Sequence, residues 1–394
     1  MIDSGEVVLG IERSLTGKRW EASASDDRIS RALGQRFGLS DIVSRIMAAR
    51  EIDLDDAEVF LNPSLRALLP DPSNLCDMDV AAERIASAVI AGETIGIFGD
   101  YDVDGATSAA LLHRFIEGVG GRVEIYVPDR ISEGYGPNLP ALLALGEKGI
   151  QVIVTVDCGI TAFEPLAGAA EAGIEVIVVD HHAAEAYLPE AHAVVNPNRL
   201  DDMSEMGRLA AVGVAFLLVV AVNRQLRIDG WYDERQEPNL LQWLDLVALG
   251  TVCDVVPLVG LNRALVAQGL KVMARRDNFG IRALADVASL DEAPTTYHVG
   301  FLLGPRVNAG GRVGEAGMGA RLLATSSREE AHELAMQLDA WNKERRELEA
   351  VCLEEAISQV ERVSVSDGLV YASAENWHPG VIGVVAGRLK DQFN

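Results

Sequence analysis

Four short apolar runs, rich in β-branched residues and separated by helix-like stretches, constrain this chain more than any other feature. They are TIGIFG (94–99), VEIYV (123–127), VIVTV (152–156) and EVIVV (175–179), with helical stretches at about 105–119, 138–148 and 161–173 between them. A strand with one wet face alternates apolar and polar residues, whereas a continuous apolar run reads as a strand buried on both faces. Such strands in alternation with helices predict an α/β fold with a parallel, doubly wound sheet. At 394 residues the chain is longer than one ordinary domain.

Residues 1–90 read as a helical region packed on a catalytic domain at 91–325, which contains further helices at about 207–226 and 239–250. A connector helix is expected over 326–363. Ser327 and Glu330 offer a capping box at its start, and Ala331, Leu334, Leu338, Trp341, Leu348, Cys352, Ala356 and Val360 form its apolar stripe. At 1.5 Å per residue it would be about 50 Å long. Residues 364–394 read as the start of a second, smaller α/β domain, beginning with a strand in GLVYAS (368–373). The pattern breaks off inside a helix at Asn394, which points to a C-terminally truncated chain.

Acidic residues outnumber basic ones 59 to 34, for a net charge of −25. A polyanion would have to be met by a local basic patch or by metal ions. Cys76, Cys158, Cys253 and Cys352 are scattered without a CxxC pair, which excludes a metal finger and fits free thiols in a reducing cytoplasm. The longest apolar run, Leu209 to Val222, is fourteen residues, short of a bilayer span, and reads as a buried helix. With no signal-peptide pattern at the N-terminus, these features predict a cytoplasmic protein without a membrane partner.

The chemistry-bearing residues fall where the strands end. The first strand runs into GDYDVDG, placing Asp100, Asp102 and Asp104 just past it; the third ends in Asp157; the fourth ends in Asp180, His181 and His182. Asp254, in GTVCDVVPL, follows a helix. Ligands of open α/β sheets bind outside the carboxyl ends of the strands. Taken singly, an aspartate after a strand reads equally as a helix N-cap, and paired histidines read as surface residues. The DxDxDG string is not an EF-hand loop, because its twelfth position is Leu111 and a strand precedes it. Taken together, so many carboxylates on one rim need divalent cations. Hard oxygen plus imidazole, with no thiolate, favours Mn²⁺ or Mg²⁺, and two such ions are a device for phosphoester hydrolysis. Asp157, at a central strand end, is the natural bridge.

For phosphate contacts, GPRVNAGGR (304–312) offers Arg306, Asn308 and Arg312 without an acid, its glycines allowing backbone N–H groups close to a phosphate. PDRISEGYGPN offers Arg130, and WHPGVIGVVAGR offers His378 and Arg388. No aromatic-rich stacking platform is evident.

These strings resemble the DHH phosphoesterase superfamily, and within it the RecJ family of single-strand-specific 5′→3′ exonucleases. DYDVDG, TVDCGI, VVDHH and GTVCDVVPL match successive metal-binding motifs, and GPRVNAGGR and WHPGVIGVVAGR narrow the match to RecJ. The resemblance runs from about residue 14 to the end of the chain. It implies a two-ion site of Asp102, Asp104, Asp157, His181 and Asp254, with Asp100 at its edge, Asp180 orienting a histidine and His182 facing the scissile phosphate. It further implies release of 5′-mononucleotides from single-stranded DNA in recombination and repair. A single-stranded-DNA-binding protein and a helicase are the implied protein partners, and a monomer the implied state. Cys253 stands where alanine is common and Gly387 where serine is common. A sister DHH phosphoesterase acting on short oligonucleotides or cyclic dinucleotides is the alternative, and a non-catalytic DHH scaffold a third reading.

Overall fold

The computed structural model describes residues 7–21, 26–362 and 369–393. They form two compact units, one of the described residues up to Leu69 with Val259–Ala264, the other of Pro70–Leu258 and the described residues from Leu265 onward. In the first unit, helix α1 (Asp27–Phe37) is capped by Asp26 and stopped by the left-handed Gly38, and helix α2 (Asp41–Ala49) is capped by Ser40. Leu33, Met47, Ala48 and Ala57 form its core, and Arg263 donates to the Phe60 carbonyl at 2.6 Å while lying over that ring.

The second unit is built on a five-stranded, all-parallel sheet in the order β2-β1-β3-β4-β5. The strands are β1 (Thr94–Gly99), β2 (Arg122–Tyr126), β3 (Val152–Val156), β4 (Glu175–Val179) and β5 (Ala193–Val195). The α/β fold with a doubly wound parallel sheet is thus as the apolar runs imply. β3 is buried throughout and β1 and β4 nearly so, whereas β2, at an edge, is half-exposed. β5 is the strand the pattern missed, since three residues are too short to register as a run.

Helices α3 (Met78–Ala91), α4 (Val103–Gly118), α5 (Leu139–Glu147), α6 (Phe163–Glu171), α7 (Ala211–Ile228) and α8 (Leu244–Cys253) flank the sheet or pack on its helices. α3 lies within the first 90 residues yet belongs to this unit, burying Ala81, Ile85 and Val89. α7 is the one described helix long and apolar enough to cross a membrane, but 72% of it is buried, against α3, α4 and α8. It is a core helix, as its composition suggested.

Beyond α9 (Phe279–Val287), residues Gly304–Val313 form helix α10, entered through a π-helical turn at Val299–Leu303. This corrects the expectation that the glycines of GPRVNAGGR open its backbone N–H groups to a phosphate: the segment is helical. Its glycines serve close packing, since a Cβ at Gly311 would lie 2.6 Å from the Tyr101 carbonyl oxygen.

After α11 (Met318–Ala324), the long helix α12 spans Arg328–Arg362. Ser327 caps the Glu330 amide at 3.2 Å, but the Glu330 carboxylate turns to Thr325 and Arg321 rather than back to Ser327, so only half of the expected capping box forms. The stripe is buried at Ala331, Leu334, Leu338, Cys352, Ala356 and Val360, but at one turn it inverts: Leu348 is 36% exposed and Glu349 only 3%. The N-terminal half of α12 packs on α9, α10 and α11, and the rest on helix α13 (Pro379–Phe393). Of the strand expected at 368–373, Gly368 lies outside the described residues. Residues 369–373 form no strand; instead the Gln359 side chain bonds both the N–H and the C=O of Ser373, each at 3.1 Å.

One backbone feature is a testable liability. Val255, just past α8, is 83% exposed with φ of 62°. A left-handed β-branched residue costs about 1–2 kcal/mol, and glycine's extra unfolded-state entropy returns about 0.5–1 kcal/mol of that. Val255→Gly is therefore expected to stabilise the fold by about 0.5–1 kcal/mol, read as a raised midpoint in urea. A lowered midpoint would show that the Val255 side chain has a packing role.

Candidate metal centre

Strand register builds the site. In the parallel ladder Gly99 pairs with Val156 and Val156 with Val179. The next residues continue the ladder, with Asp100 N bonding Val156 O, Asp157 N bonding Val179 O and Asp180 N bonding Val195 O. Three aspartates therefore stand side by side at the carboxyl edge, about 5 Å apart by strand spacing. Asp100 and Asp157 flank the β1/β3 junction, where the chain order reverses and ligand crevices form.

From this edge the side chains converge into three overlapping groups: Asp104, His181 and Asp254; Asp157, His181 and His182; and Asp100, Asp102 and Asp157. All seven residues expected at the site are brought together. Asp157 and His181 are each shared by two groups. Asp157 is 2% exposed and holds a left-handed φ of 61° at its turn.

Each side chain is locally fixed. Asp102 caps α4, its Oδ1 accepting from the amides of Asp104 and Gly105 at 2.8 and 3.0 Å. Asp104 is fully buried at the amino end of α7, where its two oxygens accept from Ala211 N at 2.6 Å and Val212 N at 2.9 Å. Asp254 ends α8, whose approach to this point depends on Gly250: a Cβ there would lie 2.3 Å from Thr107 Oγ1 and 2.9 Å from Asp104 Oδ1. His181 Nδ1 is 3.0 Å from the Leu209 carbonyl oxygen. A carbonyl only accepts, so Nδ1 carries the proton and Nε2 presents a bare lone pair. That lone pair faces Asp157 Oδ1 at 3.3 Å, Asp254 Oδ2 at 3.7 Å and Asp104 Oδ2 at 3.9 Å.

Asp180 lies behind the site rather than in it. Its Oδ1 accepts from the His182 ring at 2.7 Å and from the His181 and His182 amides, and its Oδ2 from Ile160 N at 3.0 Å. Burial alone would raise its carboxyl, but the His182 bonds outweigh burial and hold it below the usual range. In return the bond to Asp180 raises the His182 imidazole. Two residues went unnoticed in the sequence: Asn198 Nδ2 bonds the His181 carbonyl, and Asn196 Nδ2 the His182 carbonyl at 3.0 Å. They clamp the His-His turn from the loop after β5, and the overlooked strand hid them.

Four oxygens or nitrogens that carry negative charge or a lone pair thus point at one another. Among the described residues, Asp157 Oδ1, His181 Nε2 and Asp254 Oδ2 are buried without a hydrogen-bond partner. Burial, then repulsion from neighbouring carboxylates, drives Asp104 and Asp157 well above the ordinary range and Asp100 up to about 7. Buried orphan atoms of this kind in a native fold call for an ion. The donor set of carboxylate oxygen plus a tautomer-fixed imidazole fits a hard divalent cation.

The phosphate-binding candidates divide. Arg130 lies over the Tyr101 ring at 5.2 Å, and Arg312 lies close enough to Asp102 and Arg130 to feel both charges. Asn308, half-buried, is one turn before Arg312 on α10. His378 accepts the Gly380 amide at 3.1 Å at the start of α13, beside Arg312, whose Nη1 bonds the Gly380 carbonyl at 3.0 Å. Arg306 is a correction: its Nε pairs with Asp339 at 2.9 Å and its Nη1 bonds the Leu302 carbonyl at 2.6 Å, which makes it a strut between α10 and α12. The absence of an aromatic platform also needs correction on a small scale. Tyr135, 55% exposed, sets its ring edge-on to Tyr101 and to His182 and donates to the Asp157 carbonyl at 3.2 Å.

Residues 94–251 match the model of the DHH family, N-terminal domain. The single-stranded-DNA-specific exonuclease RecJ of Dickeya dadantii is 43% identical over 85% of this chain and 59% of its own length. The RecJ of Bacillus subtilis is 35% identical over 95% of this chain and 46% of its own. The chain thus spans about half the length of these relatives. A crystal structure of exonuclease RecJ bound to manganese superposes with a TM-score of 0.70 at 35% identity, covering 80% of this chain and 77% of that one. A Mn²⁺ complex of RecJ from Thermus thermophilus superposes at 0.78 with 31% identity, covering 94% and 52%.

The raised carboxyls give the site a pH signature. Each folded value lies above its unfolded value, so the stability these groups contribute is fully present below about pH 4 and is lost as pH rises through the folded values, near 7 for Asp100. A bound cation cancels that loss. The rise in melting temperature on adding Mn²⁺ is expected to be several degrees larger at about pH 7.5 than at about pH 6, and Asp157→Ala to remove most of it. Equal shifts at both pH values, or a shift surviving in Asp157→Ala, would refute a cation at these atoms.

Proposed function

The chain belongs to the RecJ family of DHH-domain proteins, and from that membership we propose that it is a metal-dependent exonuclease. It hydrolyses single-stranded DNA in the 5′→3′ direction to 5′-mononucleotides, in recombination and repair. The supporting observation is the convergence of Asp157 Oδ1, His181 Nε2 and Asp254 Oδ2, three buried atoms with no other partner among the described residues.

Mn²⁺ or Mg²⁺ is the proposed cofactor, as two ions. Asp104, His181 and Asp254 would hold one, Asp102 with Asp100 at its edge the other, and Asp157 would serve both. When bound, such ions supply Lewis acidity, acidifying water and neutralising charge on phosphate oxygens.

The chain's own residues do the rest. Asp104 and His181 are held by the α7 amides and the Leu209 carbonyl, so no side-chain rotation accompanies the reaction. His182 is half-exposed, and the bond from its inner nitrogen to Asp180 raises the imidazole, which favours a proton on the outer nitrogen. As the water oxygen bonds phosphorus and the P–O3′ bond breaks, that proton passes to the leaving 3′ oxygen, and the proton the water sheds goes to solvent, from which His182 is reprotonated. Arg130 and Arg312 bind flanking phosphates, and the exposed Tyr135 ring gives a base or sugar a flat face. The proposed setting is a cytoplasmic monomer acting on single-stranded DNA, with a single-stranded-DNA-binding protein and a helicase as partners.

A 5′-labelled oligonucleotide series with Mn²⁺ tests the reading. Labelled mononucleotide is expected from long single strands and none from blunt duplex. Asp157→Ala should lower the rate about 10²–10³-fold or more, and Asp180→Asn about 10–100-fold. Hydrolysis confined to strands of a few nucleotides would assign the site to a short-oligonucleotide phosphoesterase instead.

A further inference from the structure

The stripe inversion on α12 marks a second concentration of buried charge. At the turn where Leu348 faces water, Glu349 faces inward, although a carboxylate inside is costly unless paired. Its Oε2 accepts from Arg345 Nη1, one turn earlier, at 2.7 Å. Its Oε1 pairs with Arg388 Nη2, reaching over from α13.

The cations here outnumber the anions. Burial, then Arg130 and Arg345, pushes the Arg312 guanidinium down; burial also pushes Arg345 down, with Arg346 and Arg388 adding to it. Arg345 Nε is buried without a partner among the described residues. A line of guanidiniums, Arg130, Arg312, Arg345 and Arg388, thus runs from the rim of the metal centre to α13. Asp102 and Glu349 are the acids whose charge Arg312 feels within it. Such a cluster attracts a further anion.

The two partners of Glu349 are unlike. The Arg345 side chain is 14% exposed and also bonds Asn342 Oδ1 at 3.1 Å, whereas the Arg388 side chain is 57% exposed. Arg388 can leave at little cost, and Glu349 would still keep Arg345, so no buried charge is stranded.

We propose that Glu349 is a built-in competitor for substrate phosphate: it holds Arg388 against α12, and a DNA phosphate binds by drawing Arg388 away. Glu349 is then an affinity-setting residue that touches neither metal nor substrate, and it keeps product phosphate from being held too tightly. The proposal rests on the nucleic-acid reading above.

Removing the competing charge should tighten binding, the opposite of what loss of a merely structural ion pair does. Glu349→Gln is expected to bind a 5′-phosphorylated oligothymidylate, with EDTA preventing cleavage, about two- to tenfold more tightly than wild type. Its plot of log affinity against log salt should steepen by about 0.7, one additional single-strand phosphate contact. In Glu349→Gln with Arg388→Ala the gain should vanish. Unchanged or weaker binding in Glu349→Gln, or a gain that survives Arg388→Ala, overturns the proposal. If neither protein binds the oligonucleotide, the nucleic-acid reading fails by itself, and inorganic phosphate decides. A larger phosphate-induced rise in melting temperature for Glu349→Gln supports the competitor, and an equal rise overturns it. Should Glu349→Gln not melt cooperatively, Arg388→Ala alone answers: weaker binding with a shallower salt slope is expected, and unchanged binding overturns the proposal.

Discussion

Repulsion among buried carboxylates is the constraint on which this structure depends. Asp100, Asp104 and Asp157 are each at most 5% exposed; burial and then Asp254 and Asp102 push the Asp104 carboxyl up, and burial and then Asp104 push up that of Asp157. Left alone, such groups would move apart or take up protons. The fold prevents the first by placing two of them on adjacent, hydrogen-bonded strand ends and the third at the start of the helix that follows β1. A sheet cannot widen by an ångström without losing its ladder, so the carboxylates stay close and the strain is relieved chemically, by protons or by a cation. The proposed centre is thus poised between the two, and its occupancy by a cation is expected to follow pH.

Local devices then decide which atoms face the ion. The α7 amides meet both oxygens of Asp104, which brings the positive end of an 18-residue helix to the most buried acid. The Leu209 carbonyl, just before that helix, sets the His181 tautomer. One apolar helix, which by composition alone could be taken for a membrane span, therefore supplies from its first turn and entry loop the groups that orient two of the proposed ligands. Asp180, just past β4, does the corresponding work for His182.

How much of this was legible in the sequence follows from which physical signals are local. The buried strands announce themselves as unbroken β-branched runs, and the sheet rule places whatever follows them on one edge. Asp100, Asp157 and Asp180 could therefore be put together from the sequence. Asp254 could be associated with them only through the family motif, because it ends a helix and its proximity depends on Gly250 letting α8 close on α4. The three-residue β5 carries no readable periodicity, so Asn196 and Asn198 could not be connected with the His-His turn. GPRVNAGGR misled for a related reason. Glycine is ambiguous between a turn and a close helix contact, and only the Tyr101 carbonyl 2.6 Å from a virtual Cβ at Gly311 shows which applies. Likewise, a helical stripe cannot reveal that at one turn the neighbour is a pair of arginines, which inverts Leu348 and Glu349.

The net charge of −25 stands at odds with the proposed polyanionic substrate until distances are considered. At physiological ionic strength the Debye length is about 8 Å, so acids scattered over a protein of this size would be screened from a strand bound at the candidate site. What such a strand would meet is local: the carboxylates of the candidate metal centre, which repel phosphate when empty of cations, and the arginines beside them. Five carboxyl groups, those of Asp100, Asp102, Asp104, Asp157 and Asp254, face at most four positive charges from two divalent ions. The metal centre therefore approaches neutrality rather than becoming strongly attractive. The attraction has to come from the arginine line, and its strength is set by how many of its guanidiniums are already neutralised from within. Under the proposed function, in which each nucleotide is released before the next is taken, an internal carboxylate in that position is an advantage, because substrate and product phosphates would displace a partner of similar chemistry instead of filling a bare cationic pocket.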